Sequence, residues 1–479
     1  MTYKIPIKNA GKVYDIELED SATGADFKQK IQELTQIPQA RQKILVKGGK
    51  VTDDVVIADL KLNLKTPIMV LGTPDKDLPV KAPEKQVFLE DLNENQLSRR
   101  SDEPSGLVNL GNTCYLNSSL QAIYNNKDIA SRVDEYAGQS SGNSLVTSLK
   151  GIFSAMNKKQ EDVNPTFFLM QFRSTFPQFA EQERGFYKQQ DAEEAYSQLL
   201  SVLSNALNVE DYLRVDFKTN TKCLALPEEE EKIGAESALK LNCHIDIKTN
   251  FLRDGLLNGL KDTLEKYNDT LQSNTDYEVN KTITRLPKYL TVHFVRFFWR
   301  RDTQKKSKIL RKVQFPFELD VAEMLDDSIK PEKVKVRDQL RKIEKDNTEL
   351  IRDFKKAKKD TSLTPQQQQE EEEMKLASIK SKFTDDFQDV LPESIDLSKT
   401  TENPSSVYEL SSIVTHQGSS ADSGHYQAFV RDENDLDGNK WWKFNDNKVS
   451  TVSREKVEML AGGGESDAAL ILFYKAKGL

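Results

Sequence analysis

The chain has 479 residues, 76 acidic against 68 basic, and a formal net charge of −8, which argues against a nucleic-acid-binding stripe or a patch for an anionic membrane as its main business. Three irregularly spaced cysteines cannot build a disulfide framework and point to a reducing, intracellular setting. The N-terminus MTYKIPIKNAGK has no apolar signal core, the run AALILFY is far too short to span a bilayer, and roughly 150 residues per domain gives two or three units.

Tyr3, Ile5 and Ile7 alternate with polar residues, Asn9-Ala10-Gly11 reads as a turn, and Val13 to Leu18 is extended again, which predicts a β-hairpin. Thr23 is placed to cap a helix in which Phe27, Ile31 and Leu34 share one face, and Ile37-Pro38 ends it. Short strands at Lys43 to Val46 and Ile68 to Leu71 complete a compact α+β unit of the β-grasp type over residues 1–73. Residues 74–103, rich in proline and charge, read as a linker, and 104–479 as a larger domain.

Within GLVNLGNTCYLNSSLQ, Leu116, Leu120 and Ile123 fall at helical spacing, so Cys114 sits in the first turn of an amphipathic helix. There the macrodipole and free N–H groups favour a thiolate, whereas a lone cysteine is more often a small buried hydrophobe. A thiolate nucleophile needs an imidazole, and four histidines are available. His293 lies in an apolar strand and His244 adjoins Cys243; both read as structural. His416 and His425 flank the polar loop HQGSSADSGHY, and Gly424 before His425 lets the backbone come close to a ligand, making His425 the better base. The chain alternates from His425 to Arg431, turns, and returns as KWWKFNDN. Pairing residue 431 with 440 sets 425 against 446, which puts Asn445 or Asp446 beside the imidazole.

These segments resemble the boxes of ubiquitin-specific proteases: GLVNLGNTCYLNSSLQ the cysteine box, SGHYQAFV with WWKFNDNKVS the histidine box, QQDAEEAYSQLL and RLPKYLTVHFVRF the signatures between. KILVKGGKV and PIMVL are similar to ubiquitin-like domains, and the combination resembles the proteasome-associated branch of that family. The resemblance implies a papain-like catalytic domain with palm, thumb and β-rich fingers, which hydrolyses the bond after the C-terminal glycine of ubiquitin in the cytoplasm and nucleus. It implies Cys114 as nucleophile, His425 as general base and then acid, Asn445 as the third member with Asp446 sharing its role, and Asn109 as an oxyanion donor beside the Cys114 N–H. Asn109 otherwise reads as a turn asparagine. Asp191 would pair with basic residues of ubiquitin, or else be a solvated helix face; Gly424 and Tyr426 would line the substrate site. Leu45 and Val70 would lie near the apolar patch by which the ubiquitin-like domain docks on the regulatory particle of the 26S proteasome.

Many relatives hold a zinc in the fingers, but Cys223 and the Cys243-His244 pair do not supply four ligands at the usual spacing, so no structural metal and no cofactor is expected. Residues 324–400, with PQQQQEEEEMK inside, read as a charged helical insertion with a flexible middle. The loops HQGSSADSGHY and WRRDTQKKSKILRK match, by the resemblance, loops that cover the ubiquitin-tail channel in the free enzyme, which implies low activity until docking. Two rival readings are a non-catalytic ubiquitin receptor that acts on the proteasome by occupancy and a papain-like protease of general specificity.

Overall fold

The structure is a computed structural model; it describes residues 2–72 apart from 10, 20, 40–41, 47–50 and 61–65, and residues 103–479 apart from 139–142, 301–304, 357–364, 422 and 436–437. All but the last residue of the linker and the middle of the charged insertion lie outside the described residues. The chain forms two compact units, one within Met1–Leu97 and one within Ser98–Leu479.

In the first unit, strands β1 (Thr2–Asn9) and β2 (Lys12–Glu19) form the hairpin, followed by helix α1 (Gly24–Thr35), β3 (Lys43–Leu45) and β4 (Ile68–Leu71). The sheet order is β2-β1-β4-β3, with β1 and β4 parallel and the other pairs antiparallel. Thr23 and Asp26 close a capping box at the start of α1, satisfying two of the helix's orphan amides. Phe27 and Ile31 are buried against Ile5, Ile7 and Ile16. Leu34, expected on that face, is exposed; Thr35 and Ile37, either side of the left-handed Gln36, fill the core at the helix end instead. Val70 is also corrected: it is wholly buried, because side chains alternate along a strand, and Met69 and Leu71 emerge in its place. Met69 lies directly across from Leu45, so the exposed apolar surface is Leu45, Met69 and Leu71.

The second unit begins with β5 (Gly106–Leu107), α2 (Cys114–Tyr124), α3 (Lys127–Glu135), α4 (Ser144–Asn157), β6 (Asp162–Val163), α5 (Thr166–Thr175), the hairpin β7 (Gln182–Glu183) and β8 (Phe186–Tyr187), and α6 (Ala192–Leu207). Leu116, Leu120, Phe153, Phe172 and Leu199 join these helices in one apolar core, the thumb. Next come β9 (Val215–Cys223), β10 (Lys232–Ala238), β11 (Leu241–His244), α7 (Leu252–Gly259), β12 (Lys261–Asn268) and β13 (Ser273–Arg285). Four of these strands form the antiparallel fingers, in the order β10-β9-β13-β12.

The palm is an eight-stranded sheet completed by β14 (Tyr289–Val295), then, past the hairpin β15 (Phe297–Arg300) and β16 (Lys305–Lys308), by β17 (Glu318–Asp320). After helices α8 (Lys330–Lys356) and α9 (Pro365–Val390), it continues with β18 (Val407–Ser420), β19 (Ser423–Arg431), β20 (Lys440–Asn445) and β21 (Lys448–Ser453). Helix α10 (Arg454–Glu458) and strand β22 (Ala468–Ala476) finish the chain. The order is β11-β14-β22-β18-β19-β20-β21, with β17 beside β18. The insertion is a helical hairpin that packs Val336, Leu340, Phe387 and Leu391 on Leu397 and Val407. The buried Lys477 ties it to the sheet, pairing with Glu344 of α8, Glu318 of β17 and Glu409 of β18.

Arg431 pairs with Trp441, one residue beyond the register read from sequence. The loop keeps the bounds read from sequence, 432–439; the Asp435 carboxylate accepts from the amides of Asn439 and Lys440 and the Asp432 amide bonds the Lys440 carbonyl, and the pairing beyond is offset by one.

Candidate active site

Gly111 and Asn112 both have positive φ (97° and 53°), and this tight turn delivers the chain into α2 with Cys114 as its first residue. Oδ1 of Asn109 accepts from the Gly111 amide at 2.9 Å, and the Thr113 hydroxyl from the Leu110 amide at 2.9 Å, so side chains hold the turn. Helix α2 packs against β19 and places Cys114 beside its start, where the Tyr426 amide points at the sulfur.

Cys114 is 3 % exposed, and burial pushes its thiol up to about 11. The amides of Tyr426, Tyr115 and Cys114 pull the other way, while the Asp446 charge adds to the rise. The helix N-terminus is therefore present as expected, but desolvation outweighs it in this conformation. Iodoacetamide should alkylate Cys114 slowly at pH 7, with a rate rising about tenfold per pH unit to pH 9, because a thiol raised this far is neutral throughout that range. Mass spectrometry of the Cys114 peptide reads this directly; a rate already level below pH 7 would mean that a thiolate–imidazolium pair is formed at rest.

His425, half-buried near the start of β19, has its Nε2 2.6 Å from Oδ1 of Asn445, the last residue of β20. An amide oxygen accepts only, so Nε2 carries the proton and Nδ1 is left as the basic atom. Among the described contacts Cys114 and His425 share no hydrogen bond. The site thus holds an oriented imidazole and a buried thiol whose neutral form burial favours.

Asp446 does something other than share the orienting of the ring. Its φ of 55° swings it away from the direction of Asn445, and its carboxylate accepts from Asn109 Nδ2 at 2.9 Å and from Asn117 Nδ2 at 2.8 Å. Its carbonyl also accepts from the Leu107 amide, which fastens the turn to β5. An amide nitrogen has two hydrogens, so Asn109 Nδ2 has a second to donate while Asp446 fixes its orientation. Asn117 was not singled out from sequence; the available signal was a polar residue one turn after the nucleophile, on a helix that is buried almost throughout.

Asp191 is the N-cap of α6, its carboxylate accepting from the Glu193 amide at 2.9 Å, and burial raises it to about 6. Gly424 (φ 122°) is required for a reason within the fold: a Cβ there would collide with the Gln417 carbonyl across the β18–β19 turn. The Tyr426 side chain is buried beside the His416 ring, since it alternates with His425, so the ring does not line a channel; its backbone amide serves the site instead. His416 is held low, at about 3, by burial, and His293 likewise at about 4. Cys243 lies in the palm core, its thiol pushed up to about 12 by burial, and Cys223 is buried at the end of β9 next to Asn268. Among the described residues no group of three or more His, Cys, Asp or Glu side chains could hold a metal. The two suspected cover loops are bonded together: Lys308 Nζ donates to the His416 carbonyl at 2.5 Å and Ser420 Oγ to the Lys306 carbonyl at 2.8 Å.

A buried cysteine at a helix start and, on the strand that this helix packs against, a histidine held by an amide oxygen of the next strand form an arrangement of the papain-like kind. Residues 105–474 match the ubiquitin carboxyl-terminal hydrolase family and residues 5–75 the ubiquitin family. Ubiquitin carboxyl-terminal hydrolase 6 of Schizosaccharomyces pombe is 38 % identical, over 100 % of this chain and 99 % of its own length. Ubiquitin carboxyl-terminal hydrolase 14 of Caenorhabditis elegans is 30 % identical, over 99 % of this chain and 93 % of its own. The solved SAGA Ubp8/Sgf11/Sus1/Sgf73 DUB module bound to ubiquitin aldehyde shares the fold, with a TM-score of 0.51 and 18 % identity over 79 % of this chain and 70 % of that one. The chain belongs to the ubiquitin carboxyl-terminal hydrolase family: it is a thiol-dependent deubiquitinase with an N-terminal ubiquitin-like domain, and ubiquitin is its substrate.

Proposed function

We propose that this enzyme works on the proteasome, in the cytoplasm and nucleus, removing ubiquitin from conjugates held there. The Cys114 thiolate attacks the carbonyl carbon of ubiquitin's C-terminal glycine, and the Cys114 amide and Asn109 hold the oxyanion. His425 takes the thiol proton and gives it to the departing amine, the lysine side chain of an isopeptide or the α-amine of a peptide bond. Water, deprotonated by the same imidazole, then frees the carboxylate and restores the thiol. Asp191 meets a basic residue of ubiquitin. The contact between His425 Nε2 and Asn445 Oδ1 carries the catalytic part of this reading.

The regulatory part rests on the apolar surface of the ubiquitin-like unit. Leu45, Met69 and Leu71 are each nearly half exposed on neighbouring strands, a patch of the kind that marks an interaction site. Residues 1–73 dock by this face on the regulatory particle, and docking favours an open arrangement of the two bonded loops. A partner opens such a lid only by binding the open state better than the closed one. Turnover of a fluorogenic ubiquitin substrate should rise at least tenfold on adding proteasomes stripped of their own such enzymes. Leu45→Asp with Met69→Asp should raise the proteasome concentration needed for half the effect and leave the plateau intact. Equal turnover with and without proteasomes, at saturating substrate, would overturn the proposal. A second reading, restraint of the proteasome by occupancy alone, draws on the shielded thiol of the resting site; Cys114→Ala would keep that restraint and lose hydrolysis.

A further inference from the structure

Between α5 and α6 the chain turns back on itself in the short hairpin of β7 and β8, which pairs Gln182 with Tyr187 and Glu183 with Phe186. Arg184 (φ 53°) and Gly185 (φ 84°) form its two-residue turn, and left-handed conformations at both central positions match the twist of the strands and fix the tip. One side of the hairpin is anchored. The Tyr187 ring lies under the Arg173 guanidinium of α5, 3.5 Å from the ring centroid, and Lys188 pairs with Glu181 across the base at 2.6 Å. The Tyr187 carbonyl accepts from Asn112 Nδ2 at 2.9 Å, so the hairpin is bonded to the turn that delivers Cys114. Asn112 and Cys114 are two residues apart, which keeps their Cα atoms within about 8 Å.

Side chains alternate along a strand, so Phe186 turns the other way from Tyr187 and stands 76 % exposed, more than any other described phenylalanine. A bare aromatic ring on a rigid support is the arrangement of a binding anchor. The residues that follow it also have capacity to spare. Gln189 has a buried Nε2 with no hydrogen-bond partner, a donor that a carbonyl of a bound chain would satisfy. The Asp191 carboxylate accepts from the Glu193 amide and has no ion-pair partner among the described residues. A ring, an amide donor and a carboxylate therefore stand at 186, 189 and 191, on a segment that spans no more than about 18 Å and is fastened to the catalytic turn.

We infer that Phe186 is a substrate-contact residue, whose ring packs on an aliphatic side chain in the C-terminal segment of ubiquitin while Gln189 donates to a peptide carbonyl of the same segment. The substrate's terminal glycine has to reach a sulfur that is 3 % exposed, which requires the residues just before that glycine to run extended along whatever borders the catalytic turn. The hairpin is one such border, and the alternation of an apolar ring with polar groups suits an extended chain. The inference extends the proposed contact between Asp191 and ubiquitin to the residues that precede Asp191. Because the ring touches neither Cys114 nor His425 among the described contacts, it contributes binding that is the same in the ground state and the transition state.

The test uses the full chain. Phe186→Ser should raise KM for a fluorogenic ubiquitin substrate about fivefold or more and leave kcat near the parent value, with circular dichroism unchanged because the ring is exposed. Phe186→Leu, which keeps an apolar side chain, should recover most of the loss. The same factor should appear with an isopeptide-linked conjugate, whose ubiquitin side is identical. With p-benzoylphenylalanine in place of Phe186 in a Cys114→Ala background, irradiation should cross-link ubiquitin through its C-terminal segment, read by mass spectrometry. An unchanged KM in Phe186→Ser, or a cross-link outside that segment, would overturn the inference. A loss confined to the conjugate would overturn it too, by placing Phe186 on the side of the acceptor lysine. The outcome is separable from that at Asp191: if Asp191→Asn leaves KM unchanged while residue 186 still cross-links the C-terminal segment, the Asp191 contact fails and this one stands.

Discussion

Cys114→Ala should abolish ubiquitin hydrolysis, by roughly 10⁴-fold or more, and leave ubiquitin binding intact. The substitution removes only the sulfur at the start of α2; the helix is fixed by its buried face and by the Asn109 and Thr113 contacts of the turn before it, neither of which involves the thiol. Cys223→Ser and Cys243→Ser serve as controls. Both thiols are buried away from His425, one at the end of β9 in the fingers and one on β11 in the palm, so turnover per folded molecule should stay near that of the parent chain. Their cost is in stability, since a hydroxyl in those places is poorly satisfied. Loss of activity in a folded Cys243→Ser protein as complete as in Cys114→Ala would remove Cys114 from the role of nucleophile.

The second large effect is expected at the turn that ends β20. Asn445→Ala should lower kcat by roughly 10²-fold or more with little change in KM, because an imidazole without its orienting amide loses an interaction that matters most in the transition state. Asn445→Asp should stay active, keeping the acceptor and adding a charge that favours imidazolium. Asp446→Ala should be milder and should act elsewhere, by releasing Asn109 and Asn117. Combined with Asn109→Ala it should therefore add little further loss, whereas combined with Asn445→Ala the losses should multiply. Steady-state kinetics of the two double variants decide this. Full additivity of Asp446→Ala with Asn109→Ala would return Asp446 to the imidazole.

Much of the fold was legible because the motifs are local. The helix cap at Thr23, the strand running up to Arg431 and the helical spacing after Cys114 each follow from a short run of residues, although residues 426–430 are buried on both faces. What was misread concerns faces and surroundings. Val70 and Tyr426 both sit in strands that were recognised, but which face of a strand meets the core depends on what packs there, and a slip of one residue inverts every side chain. The loop after Arg431 has the bounds read from sequence, but the pairing beyond it is offset by one, beside an Asp435 carboxylate that gathers two amides, a contact that no period in the sequence announces. The left-handed turn at Asp446 likewise sends two adjacent polar residues to different partners, Asn445 to His425 and Asp446 to Asn109 and Asn117. For the thiol, the helix dipole is readable from position in the chain, whereas desolvation is set by everything packed around the sulfur and emerges only in three dimensions.

The most direct measurement is the reaction of the full chain with ubiquitin whose C-terminal glycine is replaced by an electrophile. A single adduct should form, map to Cys114 by mass spectrometry, and disappear in Cys114→Ala; free ubiquitin should compete, and the small electrophile without ubiquitin should react far more slowly, given the shielded thiol. An adduct on Cys223 or Cys243, or equal labelling by the electrophile with and without ubiquitin attached, would contradict a ubiquitin-directed hydrolase built on Cys114.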